Sequence, residues 1–213
     1  PDGRPFFEEA AQFYRAAGER WALARTLGEW ASTYWYRVDG GSSDFAKAKT
    51  LAEEALAIQR ALGDTYGMAT TLLHLGTIAS YAGDDKSDAQ CTAESLALFQ
   101  RVGHLYGMAH ALNNIGVREM MMGNYAASRG HLEKSLEIKR EIGTIIPMVW
   151  SQFVLARLSF NEAQFDESLR RADDGLKMVM GTVHREWELT LQLARAQALM
   201  ALGQYDSAVA AFD

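Results

Sequence analysis

A seven-residue phrase recurs in this chain at a fixed distance, and this recurrence restricts the fold more than any other feature. Gly63-Asp64-Thr65-Tyr66-Gly67-Met68-Ala69 returns 40 residues later as Gly103-His104-Leu105-Tyr106-Gly107-Met108-Ala109, with five of the seven residues unchanged. Leu75-Gly76 returns as Ile115-Gly116, and the turn Gly123-Asn124-Tyr125 returns at 163–165 and 203–205 with the same spacing. Because unrelated features keep one period, the chain is predicted to be an array of stacked structural repeats.

Each repeat is predicted to contain two helices. Ala, Leu, Glu, Arg, Gln and Met, which favour helices, are abundant, and runs rich in Val, Ile and Thr are nearly absent. In the third repeat the first helix covers about 107–122 and the second about 125–142, each closed by a glycine. Gly76 and Gly116 lie inside first helices, where glycine costs about 1 kcal/mol relative to alanine. A close contact between the two helices of a repeat explains them, and the fold class is all-α.

A single solenoid is expected over 1–213, with repeats at about 21–62, 67–102, 107–142, 147–180 and 187–213. Before the first repeat, residues 6–17 are expected to form a second helix that lacks its first helix. The first repeat carries five extra residues in the turn at 38–44, where surface insertions are tolerated. Both ends fall within a repeat, so the chain is expected to be a fragment of a longer protein. Its open ends are expected to allow self-association, because a solenoid normally needs polar caps.

Composition and motifs exclude several classes of function. The formal net charge is −6 and no cluster of Lys and Arg occurs, which argues against direct contact with nucleic acid. The one cysteine, Cys91, allows no internal disulfide and no CxxC metal site, so it is expected to be a small buried hydrophobe in a cytoplasmic protein. No apolar run approaches the roughly 18 residues of a membrane span. Nucleophile motifs, Walker loops and dinucleotide fingerprints are also absent, so we expect no enzyme, cofactor or metal.

The third repeat resembles the tetratricopeptide repeat family. Its matching residues are Leu112, Ile115-Gly116, Gly123-Asn124-Tyr125, Ser128 and Ser135. The usual family repeat has about 34 residues, whereas this one has a longer loop between repeats. The resemblance implies a right-handed α-solenoid of tandem helix pairs. Similar repeats occur in sensor arms of bacterial transcription regulators and signal-transduction NTPases, and in polarity adaptors and kinesin light chains. The loosely matched repeats, rich in Ala, Arg and Gly, favour the bacterial setting.

The resemblance also implies that the first helices line a concave, ligand-binding groove. The residues predicted to bind a partner there are Asn113, Asn114, His110, His74, Tyr81, Trp150, Phe153 and Arg157. Asparagine is a poor residue inside a helix, and its amide both donates and accepts, which suits a clamp on a partner's main chain. A solvated or inter-repeat hydrogen bond is the alternative for the two asparagines. Trp150 and Phe153 are either partner anchors or packing residues against the next helix.

The leading functional hypothesis is a non-enzymatic interaction or scaffold module, the sensor or partner-binding arm of a larger cytosolic regulator. A peptide-binding receptor of the pheromone-sensing type is the second hypothesis. The third is a helical enzyme or a lipid–isoprenoid binder that mimics the repeat, which would need a charged pocket cluster.

Two substitutions have contrasting expected effects on stability. Gly116→Leu is expected to cost several kcal/mol through overpacking. Lys139 is expected on the solvent face, where substitution by alanine changes stability by no more than about 0.5 kcal/mol.

Overall fold

The computed structural model describes residues 3–34 and 44–210. These residues contain no β-strand, and they form eleven α-helices: α1 (Arg4–Ala17), α2 (Arg20–Ser32), α3 (Phe45–Leu62), α4 (Thr65–Tyr81), α5 (Asp85–Val102), α6 (Leu105–Met121), α7 (Tyr125–Glu141), α8 (Ile145–Asn161), α9 (Phe165–Val179), α10 (Arg185–Ala201) and α11 (Tyr205–Val209). The predicted all-α repeat solenoid is confirmed. The insertion predicted in the turn at 38–44 lies outside the described residues, apart from Asp44.

Turns of one kind separate most of the helices, at intervals half as long as the repeat found in the sequence. The N-cap residues of seven helices are separated from one another by 20 residues or a multiple of 20: Asp64, Asp84, Asn124, Thr144, Gln164, His184 and Gln204. The residue before most of these caps has a positive φ, as Gly63, Gly83 and Gly203 show. Glycine adopts this left-handed conformation without a steric penalty and so ends the preceding helix. From α3 to α10 the helices therefore have similar lengths, 15 to 18 residues.

The chain divides into an N-terminal unit, residues 1–111, and a C-terminal unit, residues 112–213. In the N-terminal unit α1 to α5 pack as successive neighbours, and α2 also contacts α4. Its core consists of small and aliphatic side chains, chiefly Leu23, Leu27, Ala31, Leu51, Ala52, Leu56, Leu72, Leu75 and Ile78. In the C-terminal unit α7 to α11 pack in the same way, and α8 also contacts α10. The main cluster there comprises Met120, Leu132, Leu136, Val154, Leu155 and Leu158.

Close contact between the two helices of a repeat is confirmed at both internal glycines. A Cβ atom added at Gly116 would lie 2.6 Å from Leu132 Cγ and 3.2 Å from the Ser128 carbonyl oxygen of α7. A Cβ added at Gly76 would overlap Thr92 Oγ1 of α5. Ser128 Oγ donates a 2.7 Å hydrogen bond to the Gly116 carbonyl, which fixes the same approach. Glycine is therefore required at these positions because the neighbouring helix leaves no room for a side chain.

The expected surface position of Lys139 is wrong. Its relative exposure is 1 %, and its Nζ donates a 2.8 Å hydrogen bond to Ser151 Oγ of α8 and a 3.4 Å bond to Asn113 Oδ1 of α6. The physical reason lies in the helical period. Lys139 follows Leu132 and Ser135 at spacings of seven and four residues, which places it on the buried face of α7.

Arg171 is a second buried cation in the C-terminal unit, and in contrast to Lys139 it contacts carboxylates. The Arg171 guanidinium pairs with Glu133 of α7, donates to Glu167 Oε1 at 2.7 Å and donates to Gln152 Oε1 of α8 at 3.4 Å. Hydrogen bonds from Arg170 and Arg171 lower the pKa of Glu167 to about 2. Arg171 on α9 therefore links this helix to α7 by an ion pair and to α8 by a hydrogen bond.

Ala163 is the one residue other than glycine with a positive φ in the described part of the chain, at 56°. An L-residue with a Cβ atom is strained by about 1–2 kcal/mol in this conformation. We expect Ala163→Gly to raise the free energy of unfolding by about 0.5–1 kcal/mol, since the loss of strain exceeds the extra entropy of glycine in the unfolded chain. Urea denaturation followed by circular dichroism measures the change.

The control for this turn is Ala97→Gly, because Ala97 is an exposed residue inside α5. We expect that substitution to lower stability by about 1 kcal/mol, the usual cost of glycine within a helix. A loss of stability in both variants would show that the turn at Ala163 is not strained.

Candidate binding surface

An aromatic–arginine face, formed by Trp150, Phe153 and Arg157 of α8 and Trp187 of α10, lies in the C-terminal unit. The ring centroids of Trp150 and Phe153 are 5.8 Å apart, and Trp187 meets Trp150 edge to face at 5.5 Å. The Arg157 guanidinium lies 5.7 Å from the Phe153 ring centre, within cation–π range. The three rings are half-buried and Arg157 is exposed. The face therefore combines apolar area with an accessible positive charge.

A cleft of about 130 Å³ adjoins this face between α8, α9 and α10. Its lining is mainly polar and small, and consists of Ala156, Arg157, Phe160, Asn161, Ser168, Ala194 and Gln197. Asn161 and Gln197 each carry an amide that donates and accepts, and Arg157 only donates. Across the described residues no carboxylate pairs with Arg157. The cleft therefore offers hydrogen-bonding groups beside an apolar anchor surface.

The structure separates the two asparagines that the sequence placed together in the binding set. Asn113 is buried at 4 % exposure, and its side-chain oxygen accepts a hydrogen bond from Lys139, which fits the inter-repeat alternative for this residue. It lies on the same stripe of α6 as Gly116 and Met120, which faces the interior. Asn114 is half-buried on the adjacent stripe. A side chain on the buried stripe cannot contact a partner without the helix moving.

The other predicted residues belong to the N-terminal unit and make local contacts there. His74 donates a hydrogen bond to the Gly28 carbonyl of α2, and burial lowers the pKa of its imidazole. Tyr81 is exposed and stacks on Phe45 at 6.4 Å. His110 packs against Tyr106 with ring centroids 4.5 Å apart. These residues are separate polar and aromatic contacts, unlike the continuous face of the C-terminal unit.

The N-terminal unit contains its own cleft, of about 280 Å³, between α1 and α2. Its walls are Phe7, Tyr14, Trp21, Ala22, Arg25, Thr26 and Glu29. Arg25 lies over the Trp21 ring at 5.7 Å, so the unit's own cation already covers part of the aromatic wall.

Sequence reasoning missed Trp187, although a signal for it exists. The residues 40, 80 and 120 positions earlier are Pro147, Gly107 and Gly67. A tryptophan where other repeats carry glycine or proline is a departure from the repeat pattern. Comparing equivalent positions across the repeats would have identified Trp187 as a candidate residue.

Within 3–34 and 44–210 no three His, Cys, Asp or Glu side chains are grouped closely enough to hold a metal ion. Among the helices of the same residues, none has the length and apolar character needed to cross a membrane. Cys91 is half-buried on α5 rather than fully buried, and burial raises the pKa of its thiol.

Comparison with known proteins supports the family resemblance. Residues 108–142 match a family model described as tetratricopeptide repeat. This segment contains most of α6 and all of α7. No curated protein is similar enough in sequence to count as a relative.

Solved structures share the architecture at low sequence identity. BtubC (BKLC) from P. vanneervenii superposes with a TM-score of 0.82 over 98 % of this chain and 86 % of its own, at 16 % identity. A Podosopora anserina protein, described as a putative kinesin light chain with nearly identical TPR-like repeats, gives a TM-score of 0.69 at 18 % identity, covering 88 % of this chain and 90 % of that one. A single-residue variant of that protein gives a TM-score of 0.70. One segment, residues 108–142, therefore matches a tetratricopeptide repeat, and the chain shares its helical-repeat architecture with these solved structures.

Proposed function

We propose that the chain is a non-catalytic interaction module that binds a protein or peptide segment through the aromatic–arginine face. The observation that carries the proposal is the grouping of Trp150, Phe153, Trp187 and Arg157 beside a polar cleft. Tryptophan and arginine are enriched among the residues that dominate binding energy at interfaces. The cleft amides suit the main chain of a bound segment, because a peptide group also donates and accepts.

The wider setting that fits this module is the sensor or partner-binding arm of a larger cytosolic regulator. Asn114 of α6 is a further proposed contact in the C-terminal unit, and His74, Tyr81 and His110 are proposed contacts of the N-terminal unit. A receptor for a short peptide is the alternative, and it uses the same face. The size of the captured partner separates the two settings.

The test places a photo-crosslinking amino acid at Gln197, which lines the cleft. We expect crosslinks to one defined segment of one partner protein, mapped by mass spectrometry. Combining Trp150→Ala with Arg157→Ala should reduce the yield at least tenfold, because the anchor surface and its cation are lost. The combined variant must show the circular dichroism spectrum and melting curve of the parent.

The matched control places the same crosslinker at Lys134, an exposed residue of α7. Equal capture at the two positions, or capture that survives the double substitution, would place binding elsewhere. Crosslinks to a second copy of this chain would instead support self-association. Exposed apolar side chains that could form such a contact include Phe6, Phe13, Leu189, Leu193 and Met200.

A further inference from the structure

Lys139 is an amine enclosed by three helices of the C-terminal unit. It lies on α7 and reaches Ser151 of α8 at 2.8 Å and Asn113 of α6 at 3.4 Å. All three residues are buried, with exposures of 1 % for Lys139, 0 % for Ser151 and 4 % for Asn113. The single Nζ atom therefore joins the first helices of two successive repeats.

Both oxygen atoms that accept from Lys139 are uncharged. A buried ammonium without a carboxylate loses its hydration and receives no compensating ion pair. The nearest helices within this unit carry Arg118 and Glu119 on α6 and Arg157 on α8, and none of these charges offsets the effect of burial. Burial alone lowers the pKa of Lys139 to about 8.

We propose that the proton on Lys139 controls how firmly α6 and α8 are held against α7. Trp150 of the aromatic–arginine face directly precedes Ser151, so a shift of the Ser151 contact moves the proposed binding surface. Neutral Lys139 still has an N–H donor for Asn113 Oδ1, and its lone pair can accept from the Ser151 hydroxyl in place of the donation to Ser151 Oγ. The effect on partner binding rests on the proposed function, whereas the effect of the Lys139 proton on the position of α8 does not.

The direction of the pH effect follows from the two pKa values. In the unfolded chain a lysine titrates at 10.5, and in the folded chain Lys139 titrates at about 8. Between these values the unfolded state binds the extra proton, so the stability of the C-terminal unit rises with pH. Well below pH 8 the folded and unfolded states are both protonated, so this group causes no further change with pH, and the folded C-terminal unit bears the full cost of the buried charge.

The experiment is a pH titration of 5-fluorotryptophan-labelled protein by fluorine NMR. The Trp150 resonance is assigned from its loss in Trp150→Phe. We expect this resonance to shift with a midpoint of about 8 in the native chain, and to show no such step in Lys139→Met, which keeps the apolar stem without the amine. Lys134→Met removes an exposed amine of the same helix and should leave the midpoint unchanged. Trp21, which lies in the N-terminal unit, should not shift at this midpoint.

A Trp150 resonance without a step near pH 8 overturns the proposal, as does a step that persists in Lys139→Met. Ser151→Ala provides a second variant that keeps the lysine. Because the hydroxyl oxygen stabilises the ammonium, its removal should lower the midpoint, and an unchanged midpoint would contradict the assigned contact. No partner is present in the titration, so its result is independent of the crosslinking experiment.

Discussion

Gly116→Leu is expected to lower the free energy of unfolding by about 3 kcal/mol or more, because the new side chain forces α6 and α7 apart. Its Cβ atom alone would lie 2.6 Å from Leu132 Cγ, in a core cluster where Leu132 and Leu136 have no exposed area. Protein interiors are close-packed, so the neighbouring side chains have no vacant space to enter. Urea denaturation followed by circular dichroism measures the loss as a lower midpoint.

Gly130→Leu is the matched control for this substitution. Gly130 lies on α7, and a Cβ added there would meet no atom within 4 Å. Leucine favours helices over glycine by roughly 1 kcal/mol, so this variant should be as stable as the parent or slightly more stable. Similar denaturation midpoints for the two variants would mean that the contact between α6 and α7 is not as close as described.

Arg171→Met is expected to destabilise the C-terminal unit by about 2 kcal/mol, because it removes a buried guanidinium from charge-assisted hydrogen bonds with the partly exposed carboxylates Glu133 and Glu167. The change leaves Glu133 and Gln152 without the guanidinium that contacts both. Methionine is similar in shape to the aliphatic part of arginine. The loss of stability therefore measures the contribution of the charge and hydrogen bonds more than that of packing. Thermal and urea unfolding at neutral pH, where Glu167 is ionised, provide the measurement.

Arg170→Met is the control for the network, because Arg170 contacts the same Glu167 carboxylate from the surface. Its side chain is 54 % exposed and pairs with Glu167 and Asp174 on its own helix. Exposed pairs of this kind contribute at most about 1 kcal/mol. If Arg170→Met were as destabilising as Arg171→Met, burial of Arg171 would not explain its contribution.

The helical pairing could be predicted from the sequence because it depends on short-range rules. The phrase that recurs after 40 residues defines the repeat, and the two internal glycines locate the close contact within it. The error at Lys139 arose because residue type was given more weight than position. The spacing of Ser128, Leu132, Ser135 and Lys139 is four, three and four residues, which is one face of a helix. The pattern was sufficient to place Lys139 inside.

The same rule separates the asparagines of α6. Asn113 continues the stripe of Ala109, Gly116 and Met120, which are all buried. The contacts of Arg171 could not be predicted in this way. Its carboxylate partner Glu133 lies 38 residues earlier on another helix, and the choice among nearby carboxylates depends on side-chain geometry. The Trp150–Trp187 contact likewise depends on how α8 packs against α10.

The regular spacing of the turns affects how such a chain can change in length. Gly63, Gly103 and Gly143 each end a second helix in the left-handed conformation, and each is followed by a residue that opens a first helix. Recombination between any two of these junctions removes or duplicates whole helix pairs, and it rejoins a glycine to a helix start in the original geometry. Arrays built on this plan can therefore gain or lose binding surface in steps of one repeat, without a new loop having to arise.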